Sequence, residues 1–94
     1  MQIDKKMPLE AYSLVVDDKG VTIKGSEAGI FYGIQTLQQL LVDKGNGCIQ
    51  LPYIMINDEP RFGYRGLMLD VARYFYSVEY VKEYIDLMAR YKIN

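Results

Sequence analysis

Hydrophobic and polar positions alternate along the first quarter of the chain. Every second residue from 12 to 16 is apolar, and a second alternating run covers residues 21–24. Between the two runs lies a short polar stretch, residues 17–20, which ends in Gly20. Alternation with a period of two is typical of strands that bury one face, and a short loop containing glycine joins such strands tightly. The pattern therefore predicts a β-hairpin.

A helical pattern follows the hairpin. Ser26 is the expected N-cap, and the apolar residues recur at helical spacing as Ile30, Ile34, Leu37 and Leu41, flanked by Phe31 and Leu40. Gly29 and Gly33 lie on one side of this helix, where each costs about 1 kcal/mol of helix propensity relative to Ala. The two glycines are predicted to allow close packing of the helix against a neighbour, and flexible helix ends are the alternative.

The middle of the chain contains several residues that interrupt regular structure. The loop at residues 43–47 is expected to end the helix, and residues 48–56 read as a third strand interrupted by Pro52. Because proline cannot donate a ladder hydrogen bond, this strand is predicted to lie at an edge or to kink. Residues 57–66 combine turn formers with no periodicity, which predicts a linker between two structural units.

The last third of the chain has the pattern of one strand followed by one helix. Residues 66–71 are mostly apolar, as in a parallel strand buried on both faces. Ser77 is the expected cap of a second helix, whose apolar face holds Val78, Val81, Ile85 and Met88. The predicted fold class is therefore α+β: a hairpin, a helix and a strand form a small two-layer domain, and a βα unit follows it.

Composition and charge exclude several classes of function. The 94 residues are 50% hydrophobic and 24% charged, and the formal net charge is −1 with the eleven Lys and Arg spread along the chain, which argues against nucleic-acid binding. A single cysteine, Cys48, and the lack of histidine predict no intrachain disulfide, no metal site and no cofactor. No apolar stretch approaches the roughly 18 residues of a membrane span.

The N-terminal residues likewise lack an apolar run of signal-peptide length. Either the parent protein is soluble or a targeting segment lies upstream, which leaves a secreted or periplasmic location open.

Two stretches resemble a known family. The run INDEPRFGYRGLMLDVARYFYSVEYVKEYIDLMARYKIN, residues 56–94, resembles the entry into the catalytic barrel of the family 20 glycoside hydrolases, the β-N-acetylhexosaminidases and chitobiases. The run VTIKGSEAGIFYGIQTLQQLL, residues 21–41, resembles the end of the small α+β domain that precedes this barrel. The pattern D-x-P-R-F-x-x-R-G-x-x-x-D-x-x-R-x-F, which begins at Asp58, is long enough to be specific.

The resemblance implies a domain organisation and a function. Residues 1–57 would be the C-terminal part of the small domain, residues 58–66 a linker, and residues 67–94 the first strand and helix of a (β/α)₈ TIM barrel. Such a barrel needs about 250 residues, so the chain is expected to be a fragment. The parent is expected to be an exo-acting hydrolase that removes terminal β-linked N-acetylglucosamine or N-acetylgalactosamine from glycans by substrate-assisted retaining catalysis.

The resemblance assigns one substrate-binding residue, Arg73. In the family, the arginine at the end of the first barrel strand contacts hydroxyls of the terminal sugar, and a guanidinium can donate two parallel hydrogen bonds. The alternative is an ion pair with Asp70. Tyr74 stands where the family commonly has histidine and lacks a titratable imidazole, while structural roles at the domain boundary are expected for Asp70, Arg61 and Arg65.

No catalytic residue is expected in this chain. Asp58 and Glu59 are adjacent, but successive side chains of an extended segment point in opposite directions, and the family's catalytic Asp-Glu pair lies on a later barrel strand. The chain alone is thus expected to be inactive.

Two further expectations concern binding. The competing function is a non-enzymatic carbohydrate-binding or protein-binding domain, in which Tyr74, Tyr76 and Tyr80 would stack on sugars or partners. Separately, residues 67–72 form an apolar strand with an open edge, which predicts self-association of the isolated chain.

Overall fold

A computed structural model describes residues 1–43, 45 and 47–94. The predicted loop at 43–47 includes Lys44 and Asn46, which lie outside the described residues. The chain divides into two compact units, Met1–Arg61 and Phe62–Asn94. Mixed strands and helices confirm the α+β class.

The first unit contains one helix and six strands among the described residues. In chain order these elements are β1 (Gln2–Ile3), β2 (Tyr12–Asp17), β3 (Gly20–Gly25), α1 (Glu27–Leu40), β4 (Val42–Asp43), β5 (Ile49–Gln50) and β6 (Ile54–Asp58). Four strands form one sheet in the order β1-β3-β2-β6, and β4 pairs with β5 separately. In the larger sheet β1 is parallel to β3, whereas β2 is antiparallel to both of its neighbours.

Strands β2 and β3 form the predicted hairpin. Leu14 lies opposite Ile23 in the register, and Asp17 lies opposite Gly20 at the turn. Gly20 has a φ of 128°, a conformation that residues with a Cβ rarely adopt. Asp17 also accepts a hydrogen bond at Oδ1 from the backbone N–H of Lys19 at 2.9 Å, which stabilises the turn.

Ser26 caps α1 as predicted and also holds the preceding loop. Its Oγ accepts a hydrogen bond from the N–H of Gly29 at 3.0 Å and another from the N–H of Glu10 at 3.2 Å. Glu10 has a φ of 69°, and its carboxylate accepts from the Tyr32 hydroxyl at 3.0 Å. The helix ends at Leu40, so Leu41, expected on the apolar face, is instead the exposed C-cap.

The core lies between α1 and the sheet. Its buried members are Tyr12, Leu14, Ile23 and Tyr32, and partly buried residues pack around them at Ile30, Ile34, Leu37, Leu40 and Ile56. The Tyr12 hydroxyl shares a 2.6 Å hydrogen bond with Thr36 Oγ1 and also donates to Asp58 Oδ2 at 2.9 Å. Because a buried phenol needs a polar partner, this network fixes α1 over β2 and β6.

Gly29 and Gly33 let α1 approach the sheet closely, which confirms the first of the two explanations for these glycines. A Cβ at Gly29 would lie 1.9 Å from the carbonyl oxygen of Ala11. A Cβ at Gly33 would lie 2.7 Å from Cγ2 of Ile23 and 3.1 Å from Cδ2 of Tyr12. Both glycines are buried, so the lost helix propensity is offset by contact between the layers.

The third predicted strand is divided in two. Pro52 lies in the segment between β5 and β6, where no strand is assigned. The following strand, β6, is the last strand of the sheet and pairs on one side with β2. The edge position is therefore confirmed for β6, and the interruption at Pro52 reflects its missing backbone donor.

The second unit contains one helix, α2 (Val78–Arg90), among the described residues. Ser77 is its N-cap, as predicted, and accepts at Oγ from the N–H of Tyr80 at 3.2 Å. The helix ends at Arg90 because Lys92 adopts a φ of 57°, and the N–H groups of Lys92 and Ile93 bond to carbonyls of the last turn.

The strand predicted at residues 66–71 is not formed in this chain. No strand is assigned between 59 and 77, and Leu67, Met68 and Val71 are exposed. A strand exists only through hydrogen bonds to a neighbouring strand, and no other strand occurs among the residues described in the second unit. The apolar pattern therefore marks a segment that is suited to burial and is not buried here.

A set of hydrogen bonds joins the two ends of the second unit. Asn94 accepts at Oδ1 from the N–H of Arg65 at 2.9 Å, and its own N–H donates to the Arg65 carbonyl at 2.9 Å. Arg65 donates through Nε to the Lys92 carbonyl at 2.7 Å and through Nη1 to the Phe62 carbonyl at 2.6 Å. Arg65 thus has the structural role expected from its position in the motif.

We expect Gly29→Ala to lower the free energy of unfolding by about 2 kcal/mol, because overpacking at a backbone atom exceeds the gain in helix propensity. Gly33→Ala should cost less, since the atom it meets belongs to a side chain that can move. Gln38→Ala, at an exposed position of the same helix, is the control and should stay within about 0.5 kcal/mol. Urea unfolding followed by circular dichroism measures all three, and a stabilising Gly29→Ala would contradict the packing argument.

Candidate functional site

Arg73 lies in a bend that Asp70 holds. The Oδ1 atom of Asp70 accepts hydrogen bonds from the N–H of Ala72 at 2.9 Å and from the N–H of Arg73 at 3.3 Å. An aspartate that accepts from backbone N–H groups two and three residues later stabilises a turn. Sequence reasoning missed this contact, although the D-x-x-R spacing carries the signal for it.

The side chains of the same two residues form an ion pair. The Nε atom of Arg73 lies 3.2 Å from Oδ2 of Asp70, so the ion pair considered as an alternative to sugar contact is present. It uses one edge of the guanidinium, and in the described part of the chain no further hydrogen bond or ion pair is formed by the side chain of Arg73. The side chain is 85% exposed, so its Nη groups can donate to a ligand.

The aromatic residues near Arg73 differ in their surroundings. Tyr74 and Phe75 are 74% and 91% exposed. Tyr76 stacks on Tyr80 with ring centroids 4.7 Å apart, and Tyr80 stacks on Tyr84 at 6.5 Å. Rings stacked on one another have less free face for a sugar, so only Tyr74 of the three candidate platforms lies clear of this ladder.

The Asp58-Glu59 pair does not form a two-carboxylate site. Asp58 is the last residue of β6, and its carboxylate accepts a hydrogen bond from the buried Tyr12. Glu59 lies beyond the end of that strand and is exposed. A structural partner for one carboxylate fits the reading that this pair is not catalytic. No local sequence pattern signals the contact between Tyr12 and Asp58, which are 46 residues apart.

Other features of the described residues point to no additional site. No group of three or more His, Cys, Asp or Glu side chains within them could hold a metal ion. Cys48 is exposed as a free thiol. Neither of the described helices, α1 and α2, has the length and apolarity to cross a membrane. A depression of about 540 Å³ in the first unit lies beside the start of α1 and is lined mainly by residues 3–9.

Two family models match the chain, one after the other. The model described as glycosyl hydrolase family 20, domain 2, matches residues 2–59. The model described as glycosyl hydrolase family 20, catalytic domain, matches residues 62–94. The change from one model to the other falls beside the division between the two compact units at Arg61 and Phe62.

The names of proteins with similar sequences agree with the two family models. A β-hexosaminidase of Porphyromonas gingivalis is 50% identical over 101 residues, covering 98% of this chain and 13% of that protein. An N,N'-diacetylchitobiase of Vibrio harveyi is 44% identical over 85 residues, covering 89% of this chain and 9% of that protein.

Solved structures show the same similarity. A family 20 exo-β-N-acetylglucosaminidase from Vibrio harveyi, in complex with N-acetylglucosamine, gives a TM-score of 0.91 at 41% identity and covers 98% of this chain and 15% of that chain. A β-N-acetylhexosaminidase from Bacteroides fragilis gives a TM-score of 0.91 at 33% identity and covers 99% and 19% of the two chains. The present chain therefore spans less than a fifth of the length of these relatives.

Proposed function

Because the chain belongs to glycosyl hydrolase family 20, we propose that the full-length protein is an exo-acting β-N-acetylhexosaminidase. The observation that carries the proposal is that two models of the same family match consecutive parts of the chain, residues 2–59 and residues 62–94. The proposed substrates are glycans that end in β-linked N-acetylglucosamine or N-acetylgalactosamine. A solved relative that holds N-acetylglucosamine supports this substrate class.

The chain would contribute the boundary between two domains. In this proposal residues 1–57 end the small α+β domain, residues 58–66 link it to the barrel, and residues 67–94 supply the first strand and helix of a (β/α)₈ barrel. The apolar and exposed segment 67–71 supports this assignment, since a barrel strand is buried by parallel neighbours on both sides.

The proposed mechanism is substrate-assisted retaining hydrolysis. The acetamido oxygen of the substrate attacks the anomeric carbon, a glutamate outside this chain protonates the leaving oxygen, and an aspartate beside that glutamate orients the acetamide. Arg73 would bind two neighbouring hydroxyls of the terminal sugar through its Nη groups. Barrel enzymes place their sites at the carboxyl ends of the strands, and Arg73 follows the proposed first strand directly.

No observation favours the competing, non-enzymatic function. The named relatives are hydrolases, and two of the three tyrosines proposed as platforms stack on each other. The hydrolase is therefore preferred to a carbohydrate-binding or protein-binding domain as the proposed function.

We expect the full reading frame to hydrolyse a chromogenic β-N-acetylglucosaminide, and the 94-residue chain to leave the same substrate intact. The reason is that the proposed acid and the orienting aspartate lie outside residues 1–94. The chromophore released at equal protein concentration is the measurement. An inactive full-length protein that is shown to be folded would contradict the proposed function.

Arg73→Ala in the full-length protein should lower kcat/KM roughly a hundredfold or more, since it removes up to two charge-assisted hydrogen bonds of about 1.5 to 3 kcal/mol each. Lys82→Ala is the matched control, because it also removes one exposed cation, from the surface of α2. The measurement is the steady-state kinetics of the unmodified protein and of both variants. Kinetics of Arg73→Ala that match those of Lys82→Ala would remove Arg73 from the site.

We also propose that the isolated 94-residue chain self-associates through its exposed apolar segment. Leu67, Met68 and Val71 are 57%, 92% and 57% exposed, and an unpaired extended segment invites pairing with another chain. Sedimentation velocity should show the mean mass rising with concentration, and Met68→Lys should reduce that rise. A monomer at every concentration up to the millimolar range would contradict the proposal.

A further inference from the structure

We propose that Asp70 is a positioning residue for substrate binding, which it serves by fixing the guanidinium of Arg73 in the orientation that a sugar needs. The inference rests on the proposed function, because it requires Arg73 to contact the substrate. It adds a second residue, which does not touch the sugar, to the group that determines how tightly the sugar is held.

The geometry gives each oxygen of the Asp70 carboxylate a separate task. Oδ1 accepts from the backbone N–H groups of Ala72 and Arg73 and so holds the bend. Oδ2 lies 3.2 Å from Nε of Arg73 and so holds the far end of the same side chain. One carboxylate therefore fixes both the backbone and the guanidinium of Arg73.

Because Asp70 contacts Nε of Arg73, the two Nη groups remain available to a ligand. A contact of Asp70 with both Nη groups would occupy the end of the guanidinium and leave a sugar only the donors on its Nε side. Here the ion pair is formed through Nε at 3.2 Å, and neither Nη group forms a hydrogen bond with the described residues. The aspartate can thus orient the arginine without competing with the ligand for the atoms that bind it.

An ordered arginine matters because arginine is among the side chains with the most rotamer freedom to lose. Freezing such a side chain only when the sugar arrives corresponds to roughly a tenfold loss of affinity. Arg73 is 85% exposed, and among the described residues Asp70 is the one side chain that forms an ion pair with its guanidinium. The ordering expected of this site therefore depends on Asp70.

The test is a double-mutant cycle in the full-length protein with a chromogenic β-N-acetylglucosaminide as the probe. Asp70→Asn keeps an oxygen for the backbone N–H groups and removes the charge that faces Nε. We expect kcat/KM to fall about tenfold, chiefly through KM, because ordering is lost equally for substrate and transition state. Asp86→Asn, the same change at an exposed position of α2, is the control and should leave KM unchanged.

The cycle separates positioning from a general structural role. If Asp70 acts through Arg73, Asp70→Asn causes no additional loss in the Arg73→Ala background, and the Tm of Asp70→Asn stays that of the unmodified protein. Equal losses in both backgrounds would overturn the inference. Should Asp70→Asn lower the Tm, Asp70→Ser, whose hydroxyl can accept from the same backbone groups, takes its place in the cycle.

Two remaining outcomes distinguish this inference from the proposed function. Unchanged kinetics of Asp70→Asn beside an impaired Arg73→Ala would overturn the positioning role and leave the sugar contact in place. Unchanged kinetics of Arg73→Ala itself would remove the sugar contact, and the positioning role with it.

Discussion

The near contact of helix α1 with strand β2 is the constraint on which the first unit depends. At Gly29 the helix backbone is so close to the carbonyl of Ala11 that even a methyl group has no space. This proximity brings Thr36 within 2.6 Å of the Tyr12 hydroxyl, which in turn reaches Asp58 at the end of β6. A helix one methyl group further away would remove Thr36 from the buried Tyr12 hydroxyl and leave Asp58, on the neighbouring strand, as its remaining partner in this network.

Local patterns predicted the elements whose stability is local. The hairpin, both serine caps and the close approach at Gly29 and Gly33 followed from alternation, capping chemistry and glycine spacing, which depend on neighbours within a few residues. Contacts between distant parts of the chain left no such pattern. The Tyr12 network joins residues 24 and 46 positions apart, and nothing in either sequence neighbourhood specifies the other.

The segment 66–71 shows that a sequence pattern can predict an element that does not form without its neighbours. Its run of apolar residues carries information about an environment, namely burial between parallel neighbours, and the described residues of the second unit do not contain that environment. The D-x-x-R motif likewise predicted only part of the candidate site. It predicted Arg73 as a sugar contact through the family resemblance. The contacts of both Asp70 oxygens could not be predicted from it, because the choice between Nε and Nη contact is a matter of side-chain geometry.

Ser26 has a consequence for the dynamics of the first unit. Its single oxygen accepts hydrogen bonds from both Gly29, in the first turn of α1, and Glu10, in the loop before β2. A fluctuation that unwinds the first turn of the helix therefore also disturbs the hydrogen bond that Ser26 accepts from the Glu10 amide. The start of α1 and the loop before β2 thereby become one cooperative opening unit, whose two amides exchange with solvent in the same event.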